Sequence, residues 1–380
     1  IAGEGRRFFG QTVPSELQNK FAMLVRDSIG VVGLITPWNF PLAIPSWKIF
    51  PALIAGNGIV FKPAEDTPLV ATLFVQILEE AGVPAGVLNM VTGFGPEAGQ
   101  PLLDDPRVRM ISFTGSSEVG RLIGEQAGRQ LKRVSLELGG KNAILVMEDA
   151  DLDLVIEGAL WGGFGTSGQR CTASSRLIAH RSVAANVTEA LAERVRALKV
   201  GDGLDPAVQV GPVINGEQLE RIHGYTGIGK GEGARLVTGG SVLADELDGG
   251  YFYAPTLFDR VTPDMRIAQE EIFGPTVSVI SVDDFEDAVE VANNTPYGLS
   301  LAIYTRDINR AFRAIRDLQA GLVYVNAPTI GAEIQLPFGG IKGTGNGHRE
   351  AGTSAVEQFS ELKSVYIDYS GRLQRAQIDV

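Results

Sequence analysis

The chain has 380 residues, 44% apolar and 21% charged, a soluble globular composition that is too long for one ordinary core and suggests two domains. A formal net charge of −12 with no basic run excludes a nucleic-acid surface, which needs a concentrated basic face. No unbroken apolar stretch reaches the roughly 18 to 20 residues that span a bilayer, no signal core follows Arg6-Arg7, and a single cysteine fits a reducing, cytoplasmic setting.

Residues 7–30 alternate loosely between apolar and polar around Pro14, as in an extended hairpin. From Val31 the pattern changes. The runs 31–36, 58–62, 87–92, 110–114 and 134–138 read as buried parallel strands, with helical patterns over 44–55, 68–81, 97–103 and 118–129 between them. This alternation predicts an α/β doubly wound open sheet whose ligand crevice lies at the carboxyl ends of the strands, where Asn39, Lys62, Gly93 and Ser116 follow. Gly93-Phe94-Gly95-Pro96-Glu97-Ala98-Gly99 approaches a dinucleotide fingerprint but has one residue too many. Ser116, just before a predicted helix, suits either a pyrophosphate or an ordinary N-cap.

A second βα pattern begins with a strand over 142–147, a helix over 152–162, a strand over 176–180 and a helix over 184–198. Residues 201–250 are rich in Gly and charge and read as surface chain with one helix near 216–225. Strand and helix patterns resume over 277–282, 285–293, 300–304 and 308–318, and a last strand over 322–326 leads into a Gly-rich loop through 352. Ser364 to Tyr369 reads as an edge strand. His180, His223 and His348 lie far apart without metal-ligand spacing, so no metal site is expected.

Chemistry concentrates in two places. Cys171 is the only cysteine, and glycines at 162, 163, 165 and 168 crowd its approach, allowing backbone to come close to a ligand. Arg170 precedes it, and a neighbouring cation favours the nucleophilic thiolate; a small buried hydrophobe is the competing reading. Glu137 ends an apolar run before two glycines, where burial would raise its pKa towards that of a general base.

Glu137-Leu-Gly-Gly-Lys with Gly-Gln-Arg-Cys placed 34 residues on (171 − 137) resembles the active-site pair of the NAD(P)-dependent aldehyde dehydrogenase superfamily. Further motifs of that family follow its order: Pro37-Trp38-Asn39-Phe40-Pro41, Lys62-Pro63-Ala64-Glu65, Phe113-Thr114-Gly115-Ser116, Glu271-Ile272-Phe273-Gly274-Pro275 and Pro337-Phe338-Gly339-Gly340. The resemblance implies a Rossmann-like NAD-binding domain over 31–138, an α/β catalytic domain over 139–352, part of a β oligomerisation arm over 1–30, and a terminal segment over 353–380 whose strand pairs across a subunit boundary. Since the sequence opens at Ile1, the resemblance also implies that N-terminal elements of the family are missing here.

The same resemblance assigns roles. Cys171 attacks an aldehyde, Asn39 and the Cys171 N–H hold the oxyanion, and Glu137 activates water to release the acid. Lys62 and Glu65 meet the adenosine ribose, where a carboxylate favours NAD over NADP; Gly95, Ser116, Leu138, Glu271 and Phe273 are further cofactor contacts. The substrate is a small-molecule aldehyde, and Arg170 either grips a carboxylate at its far end or forms a structural ion pair. Phe40, Trp47 and Phe338 are pocket walls or core. Gly331-Ala332-Glu333-Ile334 and Asp368-Tyr369-Ser370 resemble the branch that includes α-aminoadipic semialdehyde dehydrogenase, whereas Gln335-Leu336-Pro337 departs from it. A homodimer or homotetramer is implied. The competing functions are an NAD-binding protein without turnover and a CoA-acylating relative, the latter disfavoured because such enzymes typically lack the glutamate.

Overall fold

Short apolar runs with no polar alternation can be buried only if both faces of a sheet are covered, and helices fall between them throughout this chain. The computed structural model describes residues 2–375 apart from positions 9, 244–246 and 248, so parts of the 201–250 surface reading and of the 353–380 segment lie outside the described residues. Five parallel strands form the first sheet, ordered Leu88–Met90, Gly58–Lys62, Val31–Ile35, Val108–Thr114, Arg133–Glu137. Chain order reverses between Val31–Ile35 and Val108–Thr114, which opens a crevice beyond Ile35 and Thr114.

The second sheet has seven strands, ordered Arg235–Thr238, Thr256–Asp259, Thr276–Val282, Ser174–His180, Asn142–Val146, Ser300–Tyr304, Leu322–Val325, and only its first pair is antiparallel. Ala143, Ile144, Leu145 and Val146 are wholly buried, consistent with cores on both faces of this central strand. Burying each large aliphatic side chain of this kind contributes roughly 1.5–3 kcal/mol. Residues 138–141 pass from the last strand of the first sheet to the central strand of the second, so the Gly139-Gly140 turn sits at the junction of the two.

Several expectations need correction. The helix near 216–225 runs Gly216–Gly231, and Arg235–Thr238 and Thr256–Asp259 are sheet strands rather than surface chain. These two strands are four residues each and pair mainly at an edge, too short to show an apolar period. The terminal strand is longer than the sequence suggests, Ser360–Asp368, and pairs along its length with Lys20–Ser28 of its own chain. Among the described residues no helix is long and apolar enough to cross a membrane.

Candidate active site

The nucleophile turn lies just before the strand Ser174–His180. Thr166 and Ser167 carry left-handed backbone (φ 55° and 54°) and Gly168 follows at φ 66°, where a Cβ would collide with the Gly274 carbonyl. Only glycine lets this turn press against the Phe273-Gly274 loop. Ala173 N donates to Arg170 O at 3.0 Å, closing the turn around Cys171, and among the described residues the Cys171 N–H donates to none.

Cys171 borders a cavity of about 240 Å³ with Glu137 and Arg170, walled by Phe40, Trp47 and Phe338. Trp47 and Phe338 meet edge-on at 5.2 Å between centroids. Beside it, at the crevice of the first sheet, lies a cleft of about 950 Å³ bordered by Lys62, Glu65, Gly95, Glu271 and Phe273. Thr114 borders both spaces, so the two meet at the end of the strand Val108–Thr114.

Glu137 ends the strand Arg133–Glu137 at 3% exposure, and neither carboxyl oxygen has a hydrogen-bond partner among the described residues. Burial first, and then the Glu350 carboxylate, raise its pKa well above the usual carboxylate range, against the pull of Lys48 and Arg349. Glu350 itself is paired with Lys48 in a wholly buried ion pair, and Lys48 Nζ also donates to Ser112 Oγ at 2.8 Å. The sequence reading missed this pair. A lysine amid Ile44, Trp47, Ile49 and Phe50 in a predicted helix was the available signal.

Cys171 contradicts the expected thiolate. Its pKa is pushed up to about 12 by burial and by the carboxylates of Glu271, Glu137 and Glu350, against the Thr172 N–H. Arg170 does not outweigh them: burial lowers its own pKa, against the pull of Cys171, and its side chain makes other contacts. Its Nε donates to Thr166 Oγ1 at 2.8 Å, and its guanidinium stacks 4.8 Å from the Trp161 ring centroid and 5.9 Å from that of Phe40. Among the described residues Arg170 forms no ion pair, against the structural ion-pair alternative.

Asn39 stands beside the turn: its Nδ2 donates to Gln169 O at 3.1 Å, leaving the second amide hydrogen for another acceptor, while Oδ1 is buried without a partner among the described residues. Ser116 acts as the N-cap of Ser117–Arg129, accepting from Val119 N at 3.3 Å. Leu138 borders the Cys171 cavity and would clash with any side chain at Gly120; it is not among the residues that border the cleft with which it was grouped.

Glu271 and Phe273 enter the cleft on a loop that Gln218 and Arg221 brace. Gln218 Nε2 donates to Ile272 O (3.0 Å) and Phe273 O (2.8 Å), and Arg221 donates to Glu271 O at 2.7 Å. Neither residue was singled out from sequence, because they lie on a helix within the segment read as surface. Glu271 Oε1 accepts the Gly140 N–H at 2.8 Å, and its pKa is raised by burial. Lys62 Nζ lies 3.2 Å from Glu65 Oε2, a pair on the rim of the cleft.

The cleft fits a dinucleotide. Thr36 Oγ1 and Thr114 Oγ1 are buried on its wall without partners among the described residues, and the N-terminus of Ser117–Arg129 opens beside them.

Comparison with known proteins points the same way. The family model described as "Aldehyde dehydrogenase family" matches residues 1–365. The chain is 42% identical over 367 residues to alpha-ketoglutaric semialdehyde dehydrogenase of Bacillus subtilis, covering 96% of this chain and 75% of that one. It is 44% identical over 360 residues to 2,5-dioxopentanoate dehydrogenase of Saccharolobus solfataricus (94% and 74%) and 44% identical over 371 residues to cytosolic aldehyde dehydrogenase 1 of Mus musculus (97% and 73%). Among solved structures, betaine aldehyde dehydrogenase of Staphylococcus aureus in complex with NAD+ superposes with a TM-score of 0.95 at 36% identity, covering 98% of this chain and 73% of that one.

Proposed function

This chain belongs to the aldehyde dehydrogenase family and is an NAD-dependent oxidoreductase; from that premise we propose that it oxidises a carboxylated semialdehyde to the acid, with Cys171 as nucleophile, Glu137 as general base and Asn39 as oxyanion donor. The observation that carries the reading is the single cavity that joins the only cysteine, an unpartnered buried carboxylate and an arginine free of ion pairs among the described residues.

The aldehyde enters the aromatic-walled cavity with its carbonyl carbon against Cys171 Sγ. With the Cys171 pKa pushed up to about 12, a proton must leave as the carbon–sulfur bond forms, and Glu137, on the wall of the same cavity, is placed to take it. The oxyanion of the thiohemiacetal takes the free Asn39 amide hydrogen and the Cys171 N–H. Bound NAD supplies the hydride acceptor. Lys62, Glu65, Gly95, Glu271 and Phe273, which border the cleft, would hold it together with Ser116 at the N-cap of Ser117–Arg129, with Gln218 and Arg221 steadying the Glu271–Phe273 loop. After passing the thiol proton on to solvent, Glu137 takes a proton from water, whose oxygen adds to the thioester carbon and releases the acid from Cys171 Sγ. A glutamate on the cavity that holds Cys171 favours hydrolysis over transfer to CoA.

In this reading residues 31–138 bind the cofactor and residues 139–352 carry the chemistry. Residues 1–30 and 353–380 supply the three-stranded sheet for a homodimer or homotetramer, and the enzyme works in the cytoplasm. Relatives of nearly equal identity have names with different substrates, so overall likeness does not choose among aldehydes. Arg170, which borders the cavity, supports a carboxylated one, as do the two relatives named for an oxo-acid semialdehyde. Cys171→Ala should abolish NADH production while NAD binding, followed by fluorescence, persists. Turnover at the parental rate in that variant would remove the mechanism.

A further inference from the structure

Asn142 opens the central strand Asn142–Val146 at 2% exposure, directly beneath the nucleophile turn. Its Nδ2 donates to Cys171 O at 2.8 Å and to Ala173 O at 3.0 Å, while Oδ1 accepts the Ser300 N–H at 3.1 Å. Both amide hydrogens are therefore spent on the turn, and the side chain is anchored to the neighbouring strand. The sheet register slips between Asn142 and Ala143 against Ser174–His180. Just upstream, the carbonyls of Cys171 and Ala173 find side-chain donors instead of a ladder. The intervening Thr172 O is taken by Thr329 Oγ1 at 2.6 Å.

A trans peptide points its C=O and N–H in opposite directions. Holding Cys171 O down on Asn142 thus turns the Thr172 N–H to the opposite side of that peptide, and this N–H favours the thiolate of Cys171. We propose that Asn142 is a positioning residue for the reaction, setting the Cys171–Thr172 peptide so that the Thr172 N–H faces the nucleophilic sulfur. This rests on Cys171 being the nucleophile, but its test reads sulfur reactivity and not oxidation.

Since Cys171 is the sole cysteine, its alkylation by iodoacetamide can be followed in the full chain without cofactor from about pH 7 to about pH 10. The variants are Asn142→Leu, which keeps the shape and removes both donors, Asn142→Ala, and Thr329→Val, which removes a donor from the adjacent peptide of the same network. Thermal melting and NAD binding report folding. A hydrogen bond to a charged group corresponds to about one to two pH units, so the Asn142 variants should alkylate about 10- to 100-fold more slowly at each pH while Thr329→Val stays near the parental rate. A folded Asn142→Leu protein alkylated at the parental rate overturns the proposal. So does Thr329→Val slowing alkylation by about 10-fold or more, since reactivity would then track loosening of the whole network; this threshold can be read even if the Asn142 variants do not fold. Failure of the nucleophile reading shows separately, as oxidation surviving in Cys171→Ala.

Discussion

Arg170→Leu tests the substrate reading most directly. In the structure the Arg170 Nε is spent on Thr166 Oγ1 at 2.8 Å and the guanidinium face on Trp161 at 4.8 Å, while its terminal nitrogens form no ion pair among the described residues. Leucine therefore leaves no carboxylate stranded, and it retains apolar contact with Trp161. A charge-assisted hydrogen bond is worth about 1.5 to 3 kcal/mol. Arg170 is only half-buried, so solvent screening points to the lower end, and about 1.5 kcal/mol is roughly a tenfold change at 1.4 kcal/mol per decade. NADH production from 2,5-dioxopentanoate and from pentanal gives the two kcat/KM values. The variant should lose about tenfold on the charged aldehyde and little on pentanal. Equal losses on both would make Arg170 a brace for the turn at Thr166, and a parent that already prefers pentanal would refute the carboxylate assignment.

Glu137→Gln should slow thioester hydrolysis more than the first turnover, giving a burst of NADH and then a slow steady state in stopped flow; equal slowing of both phases would place Glu137 in the earlier proton transfer alone. Glu65→Ser should narrow the preference for NAD over NADP in kcat/KM by removing a carboxylate from the rim of the cleft. An unchanged ratio would mean that Glu65 does not face the ribose. Lys141→Met should raise the melting temperature at neutral pH. Lys141 is buried with no Nζ partner among the described residues, and burial, then Arg176, push its pKa down to about 7. An unfolded lysine titrates near about 10.4, so the penalty is full below about pH 7 and fades as pH rises towards about 10. The gain from methionine should shrink accordingly; a melting temperature lowered at both pH values would show that Lys141 stabilises through its charge.

The linear sequence carried what depends on local pattern and residue chemistry. Apolar runs over 31–36, 58–62 and 110–114 mark strands because a buried strand excludes polar groups from both faces, and the helix Phe285–Asn293 and strand Ser300–Tyr304 fall at their expected positions. Cys171, Glu137 and the loop Glu271-Ile272-Phe273 stood out by motif and spacing. Folding alone decided which way side chains turn. It sent Arg170 to Trp161 and Thr166 and left the thiol among three carboxylates, reversing the electrostatics that adjacency in sequence suggests. It paired Lys48 with Glu350, which are 302 positions apart, beside Glu137, and brought Asn142 and Thr329 under a turn many residues away from either. Such contacts leave no periodic trace, because a pKa or a peptide plane depends on distances through space that residue order does not encode.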